Sequence, residues 1–440
     1  MNKVILKMYQ SIFAARLARP QQGRSGWAFL LLCMAWFAPA VPVSAAVCEE
    51  NNASPGIAAD EALGRQEPFD WQGEFVEDDG ICFPSRNSGA QLRAFLLAPA
   101  NIESLPDGSL PVVVIGPGSG GAARAMNYLW SARDLAGHGY LALSVDPQGV
   151  GRSEVNGGEP NGCGASGCPN APFQKASNFV DGLVSGADYL FTREHPWLKK
   201  ADLTRIGVAG HSLSARAATY IGGLDERFSA AVGWDNMSSD LNGDAGISSG
   251  GGACGSAIGG EPPSAPVIAP PRVPTMGHAS DVPGGCTQDT NPEVKKTGYE
   301  HWRAAGTATM QLVFKAAAHG DWAHTSSSTS EQLQLFEYYT RNWFDLYLKR
   351  DEGARLRLLM PEILAMTPDQ IYSASFRSAA FMPEAGVDCP DLLVEACRPP
   401  AGKTLGSGLL LGALGLGPVL LLLMLAAISR LKLGQTTQGR

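Results

Sequence analysis

No Cys-x-x-Cys pair occurs anywhere in the 440-residue chain, which removes the usual zinc and dithiol frameworks. Cys163 and Cys168, with four residues between them, lack a second histidine–cysteine pair, so no metal site is expected. Charge is also scarce: 17% of the residues are Asp, Glu, Lys or Arg, and 34 basic against 42 acidic side chains leave a net charge of −8. Without a basic patch in the middle of the chain no nucleic-acid partner is expected, since phosphates must be met by a cationic face. No internal repeat is found, so solenoid and propeller architectures are excluded. What remains is a 45% hydrophobic chain with the composition of a globular protein, long enough for one large core plus end segments.

The two ends read differently from the middle. Lys3, Lys7, Arg16, Arg19 and Arg24 precede an apolar run from Trp27 to Val43 and the small residues Ser44-Ala45-Ala46, the order of an export signal over residues 1–45. At the other end Leu405 to Ile428 carries no charge and is followed by Arg430 and Lys432. That run is long enough to cross a bilayer, with the basic flank on the cytoplasmic side. The reading is therefore a catalytic domain over 46–400, a membrane or sorting helix over 401–430 and a short cytoplasmic tail over 431–440. The expected location is exported, either anchored on the outer side or released if the tail is processed. Once Cys33 leaves with the signal, eight cysteines remain: Cys48, Cys82, Cys163, Cys168, Cys254, Cys286, Cys389 and Cys397. An even count in an exported chain points to disulfides, with the sequential pairing 48–82, 163–168, 254–286 and 389–397 preferred among the roughly 105 arrangements.

Between the ends, short apolar runs alternate with amphipathic stretches, the signature of an α/β protein with a mostly parallel central sheet flanked by helices. Strands are expected at 92–97, 111–115, 140–145, 205–209, 230–234, 273–276 and 310–315, and helices at 122–136, 179–191, 214–221 and 331–349. Two Gly/Pro/Ser-rich insertions, 153–172 and 236–272, read as loops near the site.

The chemistry centres on Gly210-His211-Ser212-Leu213-Ser214, which stands between an expected strand and an expected helix. A sharp strand-to-helix turn there lifts the serine hydroxyl above the sheet edge. Gly-x-Ser recurs at Ser153, Ser166 and Ser248, but only Ser212 has the strand before and the helix after. A serine nucleophile needs a base within hydrogen-bond reach, itself oriented by an acid. His319, in Ala318-His319-Gly320-Asp321-Trp322 just past the last expected strand, is preferred as base over His324. Asp281, at the end of the stretch beginning Val273-Pro274-Thr275, is the preferred acid, with Asp235 after Val232-Gly233-Trp234 as runner-up. The oxyanion donors are expected to be the amides of Leu213 and of Ser119 in Gly116-Pro117-Gly118-Ser119-Gly120-Gly121. That loop lacks a phosphate-loop lysine, and its dinucleotide-type glycines lack an acidic partner at the right distance. No cofactor is expected.

With elbow, oxyanion loop and residue order in hand, the chain resembles the α/β-hydrolase superfamily, in particular secreted dienelactone-hydrolase-like and polyester-hydrolase-like serine esterases. Asp146-Pro147-Gln148-Gly149-Val150-Gly151-Arg152-Ser153, Leu135-Ala136-Gly137-His138-Gly139-Tyr140 and Trp343-Phe344-Asp345-Leu346-Tyr347-Leu348-Lys349 are similar to family segments, and the likeness spans roughly residues 85–350. The resemblance implies the α/β-hydrolase fold, a structural role for His138, and cleavage of a carboxylic ester through an acyl-enzyme without metal or organic cofactor. The chain departs from the pattern at Ser214, where a second glycine is usual, at the Pro-Gly of the oxyanion loop, and in the 236–272 insertion. Peptide or acyl-peptide cleavage is the alternative reaction, and a non-catalytic binding module the alternative class.

Overall fold

Alternation within the strands decides the architecture. The computed structural model describes residues 73–118, 125–154, 176–235, 237, 269–282, 292–324, 328–360, 371–373 and 375–393, all within the compact unit Val47–Arg440. In chain order the elements are β1 (Phe75–Pro84), β2 (Gln91–Pro99), β3 (Leu110–Gly116), α1 (Leu129–Gly137), β4 (Leu141–Asp146), α2 (Ala176–Thr192), β5 (Ala201–His211), α3 (Leu213–Leu224), β6 (Phe228–Trp234), β7 (Thr275–Ser280), α4 (Pro292–Ala304), β8 (Thr309–Phe314), α5 (Ser330–Leu348), α6 (Glu352–Leu359), β9 (Ala379–Met382) and β10 (Val387–Cys389). The ten strands form one sheet in the order β1-β2-β4-β3-β5-β6-β7-β8-β9-β10. Its centre, β4 through β3, β5, β6 and β7 to β8, is parallel, and the flanks at β1, β2, β9 and β10 run antiparallel.

Central parallel strands are covered on both faces, so they read as continuous apolar runs. Side chains nevertheless alternate between two cores. Phe95, Leu97, Val113 and Ile115 pack with α1 and α5, whereas Ala94, Leu96, Val112 and Val114 pack with α2 and α3. The expected strands all form, within a few residues of their ends, and the helix expected over 122–136 begins only at Leu129. It is preceded by a tight helical turn at Ala125–Tyr128. The Asp146 carboxylate accepts the amide of Ala125 at 2.7 Å, so the turn after β4 and the approach to α1 share one anchor. His138 sits at the end of α1 with Nδ1 bonded to the carbonyl of Asp134 at 2.7 Å.

Among the described residues no helix is long and apolar enough to cross a membrane. The candidate span over 401–430, the tail over 431–440 and the export signal over 1–45 lie outside the described residues. Cys82 and Cys389 are each disulfide-bonded. They lie on opposite edge strands of the sheet, so they are not bonded to each other. The other cysteines of the expected pairing, Cys48, Cys163, Cys168, Cys254, Cys286 and Cys397, lie outside the described residues.

Candidate active site

Parallel strands deliver their loops to one edge of the sheet, and β5, β6 and β8 each end there in a backbone reversal. Ser212 follows β5 with φ 54°, Asp235 follows β6 with φ 61°, and Ala316, shortly before His319, has φ 59°. Positive φ is uncommon in residues other than glycine and costs on the order of 1–3 kcal/mol when the surroundings enforce it. Of the five such residues among those described, these three stand where side chains are brought together, and Arg193 and Arg350 lie elsewhere.

The elbow is tight. The amide of Ser212 donates to the carbonyl of Trp234 at 3.0 Å, while α3 starts at Leu213. A Cβ added to Gly210 would lie 2.5 Å from the Cβ of Ser214, and one added to Gly116 would lie 2.8 Å from the same atom. Glycines two residues before the nucleophile position and at the end of β3 are therefore required by contact, and Ser214 fills the space they leave. The Leu213 amide stands at the N-terminus of α3, where unpaired N–H groups and the helix dipole favour negative charge. Ser119 lies outside the described residues.

Ser212, His319 and Asp235 form one hydrogen-bonded chain. His319 Nε2 is 3.1 Å from Ser212 Oγ, and its Nδ1 bonds Asp235 Oδ2. Asp281, preferred as acid from the sequence, does not occupy this place. Its backbone follows β7 directly, and its Oδ1 is buried without a hydrogen-bond partner. The reason is geometric. The left-handed turn at Asp235 folds its carboxylate inward toward β7, where the Ser280 amide and hydroxyl donate to it at 2.7 and 3.2 Å. The carboxylate bonded to His319 thus follows β6, the strand next to the one that ends before Ser212.

Asp235 is fully buried, and burial works to raise its pKa. The ammonium of Lys295 and the ring of His319 outweigh that and hold it well below the usual carboxylate range. Lys295 is the residue that sequence reasoning missed. It lies on α4, is itself buried, and its Nζ is 2.5 Å from Asp235 Oδ1. No motif marks it, because its signal is only a lysine on the inward face of an otherwise polar helix.

A second network ties His319 to the loop after β3. His211 Nε2 donates to the carbonyl of His319 at 2.8 Å, which leaves Nδ1 to accept the Tyr128 hydroxyl at 2.7 Å. That hydroxyl accepts the Gly118 amide at 2.9 Å. Burial, then the nearby His319, push the pKa of His211 down to about 3, so the ring is neutral. The turn His319–Trp322 is further pinned by Trp322, whose carbonyl accepts from Trp130 Nε1 at 2.9 Å and whose Nε1 donates to His278 at 3.2 Å. His324, the other candidate base, instead pairs its amide with the carbonyl of Asn127 at 2.8 Å. Tyr128→Phe removes the central hydroxyl and leaves two buried polar atoms unpaired. The expected loss is about 2–4 kcal/mol of stability, read from urea unfolding, and an unchanged midpoint would contradict the network.

His211, Asp235 and His319 offer nitrogen and oxygen atoms within 4.8 Å of one another. Both nitrogens of each ring and both oxygens of the carboxylate already serve hydrogen bonds within the protein, so the cluster fits proton transfer better than metal ligation. Neither the family models nor the curated proteins compared with this chain contain a match to it.

Proposed function

We propose that this chain is a serine hydrolase that cleaves carboxylic esters through a covalent acyl-enzyme. The observation that carries the reading is a single imidazole, His319, bonded through one nitrogen to Ser212 and through the other to the buried carboxylate of Asp235. Ser212 Oγ attacks the ester carbonyl carbon while His319 Nε2 takes its proton, and Asp235 stabilises the imidazolium that forms. The tetrahedral oxyanion lies at the Leu213 amide, with Ser119 proposed as second donor. Collapse expels the alkoxide, which takes the proton back from His319. Water then repeats the sequence to release the acid.

The order β1-β2-β4-β3-β5-β6-β7-β8 with β2 antiparallel supports an α/β-hydrolase fold of the dienelactone-hydrolase-like or polyester-hydrolase-like kind, with a nucleophile elbow after β5. Bonded cysteines at Cys82 and Cys389 support an oxidising, exported location, and the apolar run 405–428 supports anchoring to a membrane.

Rapid mixing with an activated ester such as a p-nitrophenyl acylate, followed by acid quench and peptide mass mapping, tests both points. The acyl mass is expected on Ser212, with the eight cysteines after Cys33 resisting alkylation until reduced. Acylation of another residue, or none during turnover, overturns the mechanism; free thiols overturn the location.

A further inference from the structure

Resting on the reading of Ser212 as nucleophile, we propose that Lys295 is a positioning residue: held inside the protein, it locks Asp235 toward His319 and sets the pH at which the base is lost. The two carboxylate oxygens have separate duties. Oδ1 takes the Lys295 ammonium at 2.5 Å and the Ser280 amide at 2.7 Å, while Oδ2 takes His319 Nδ1 and the Ser280 hydroxyl at 3.2 Å. Lys295 Nζ also lies 3.5 Å from Ser280 Oγ. A carboxylate held at both oxygens cannot turn away from the imidazole.

Stability alone does not account for the lysine. A buried ion pair is on average no more stabilising than apolar residues of the same size, because desolvation of two charges offsets their attraction. The side chains of Lys295 and Asp235 are 3% and 0% exposed, so both charges bear that cost in full. What the lysine supplies is an electrostatic balance. A lone buried carboxylate favours the imidazolium of His319 strongly, whereas a carboxylate neutralised by an ammonium favours it less. The other groups around His319 do not supply this balance. His211 from β5, its ring 4.8 Å away, is neutral, as is the buried His278 of β7, which burial keeps at about 3. Asp321 in the same turn binds the Ala318 amide at 2.8 Å and carries the opposite charge to the lysine.

The test is the pH dependence of fluorophosphonate inactivation at Ser212 in the full chain, which needs no natural substrate. In Lys295→Met the acid-side midpoint is expected to move up by about two pH units, the size of one unit charge roughly 6 Å away at an effective dielectric of 20. The inactivation rate above that midpoint should fall at least about tenfold as Asp235 loses its hold. Lys295→Arg, which keeps the charge, should retain most of the wild-type midpoint. Removing the lysine alone strands a buried charge, so Asp235→Asn/Lys295→Met, which removes both charges, keeps the comparison available if the single variant does not fold. In Asp235→Asn the buried lysine, deprived of the carboxylate's charge, sheds its proton, so relative to that variant the double variant's midpoint should not move. An unmoved midpoint in a folded Lys295→Met, or an equal shift with and without Asp235, overturns the role of Lys295 while leaving the nucleophile standing. Absence of labelling in the wild type overturns the nucleophile and this inference together.

Discussion

Asp235→Asn is expected to lower ester turnover about ten-thousandfold, the size that losing the orienting carboxylate has in a Ser-His-Asp site, while Asp281→Asn leaves it within about threefold, as a change away from the site should. The surroundings of Asp235 explain why so conservative a change is so damaging. The Lys295 ammonium and the Ser280 amide both donate to Oδ1, so an asparagine must place its carbonyl oxygen there. Its NH2 group then faces His319 Nδ1. A donor at that nitrogen drives the imidazole proton to Nε2, the atom that must accept the proton of Ser212. The fold survives, and the base is held in the wrong tautomer. Steady-state kinetics on one activated ester with both variants would check this; the reverse ranking would return the acid role to Asp281.

Ser212→Ala is expected to abolish turnover, a fall of about 10⁶-fold in kcat by analogy with removing the nucleophile of a triad. Folding should be untouched, since one hydroxyl leaves and the backbone hydrogen bond to Trp234 stays. Ser212→Gly carries a further consequence. At φ 54° and ψ −112° a side chain is strained, and glycine adopts the mirror-image region freely. That variant should be inactive yet more stable than the wild type by about 1 kcal/mol, the strain relieved less the added entropy of the unfolded chain. Thermal unfolding reads the difference, and a less stable glycine variant would contradict strain at the elbow.

The sequence showed the sheet better than it showed the site's depth. Central strands were legible because double burial makes them unbroken apolar runs such as Pro111–Ile115. The edges were not. β1 contains Glu77, Asp78, Asp79 and Gly80 and is half exposed, and β9 and β10 are only 4 and 3 residues long, too short for a period. α4 was hidden by Glu293, Lys295, Lys296, Glu300 and Arg303, which mask an inward face bearing Tyr299 and Trp302. The neighbourhood of Ser212 and His319 followed from strand order, since the elbow and the last parallel strand end on one edge. The choice between Asp235 and Asp281 turned on one backbone torsion, φ 61° at Asp235. No residue type announces such a turn, although aspartate tolerates it better than most. Lys295 was beyond reach for a related reason: pairing across 60 residues of sequence leaves no local spacing to read.

Fluorophosphonate labelling of the folded, oxidised protein with peptide mapping tests the central claim most directly, because the probe reports an activated serine whatever the substrate. The account predicts a single modified residue, Ser212, with labelling lost in His319→Ala; no labelling, or labelling elsewhere, would contradict it.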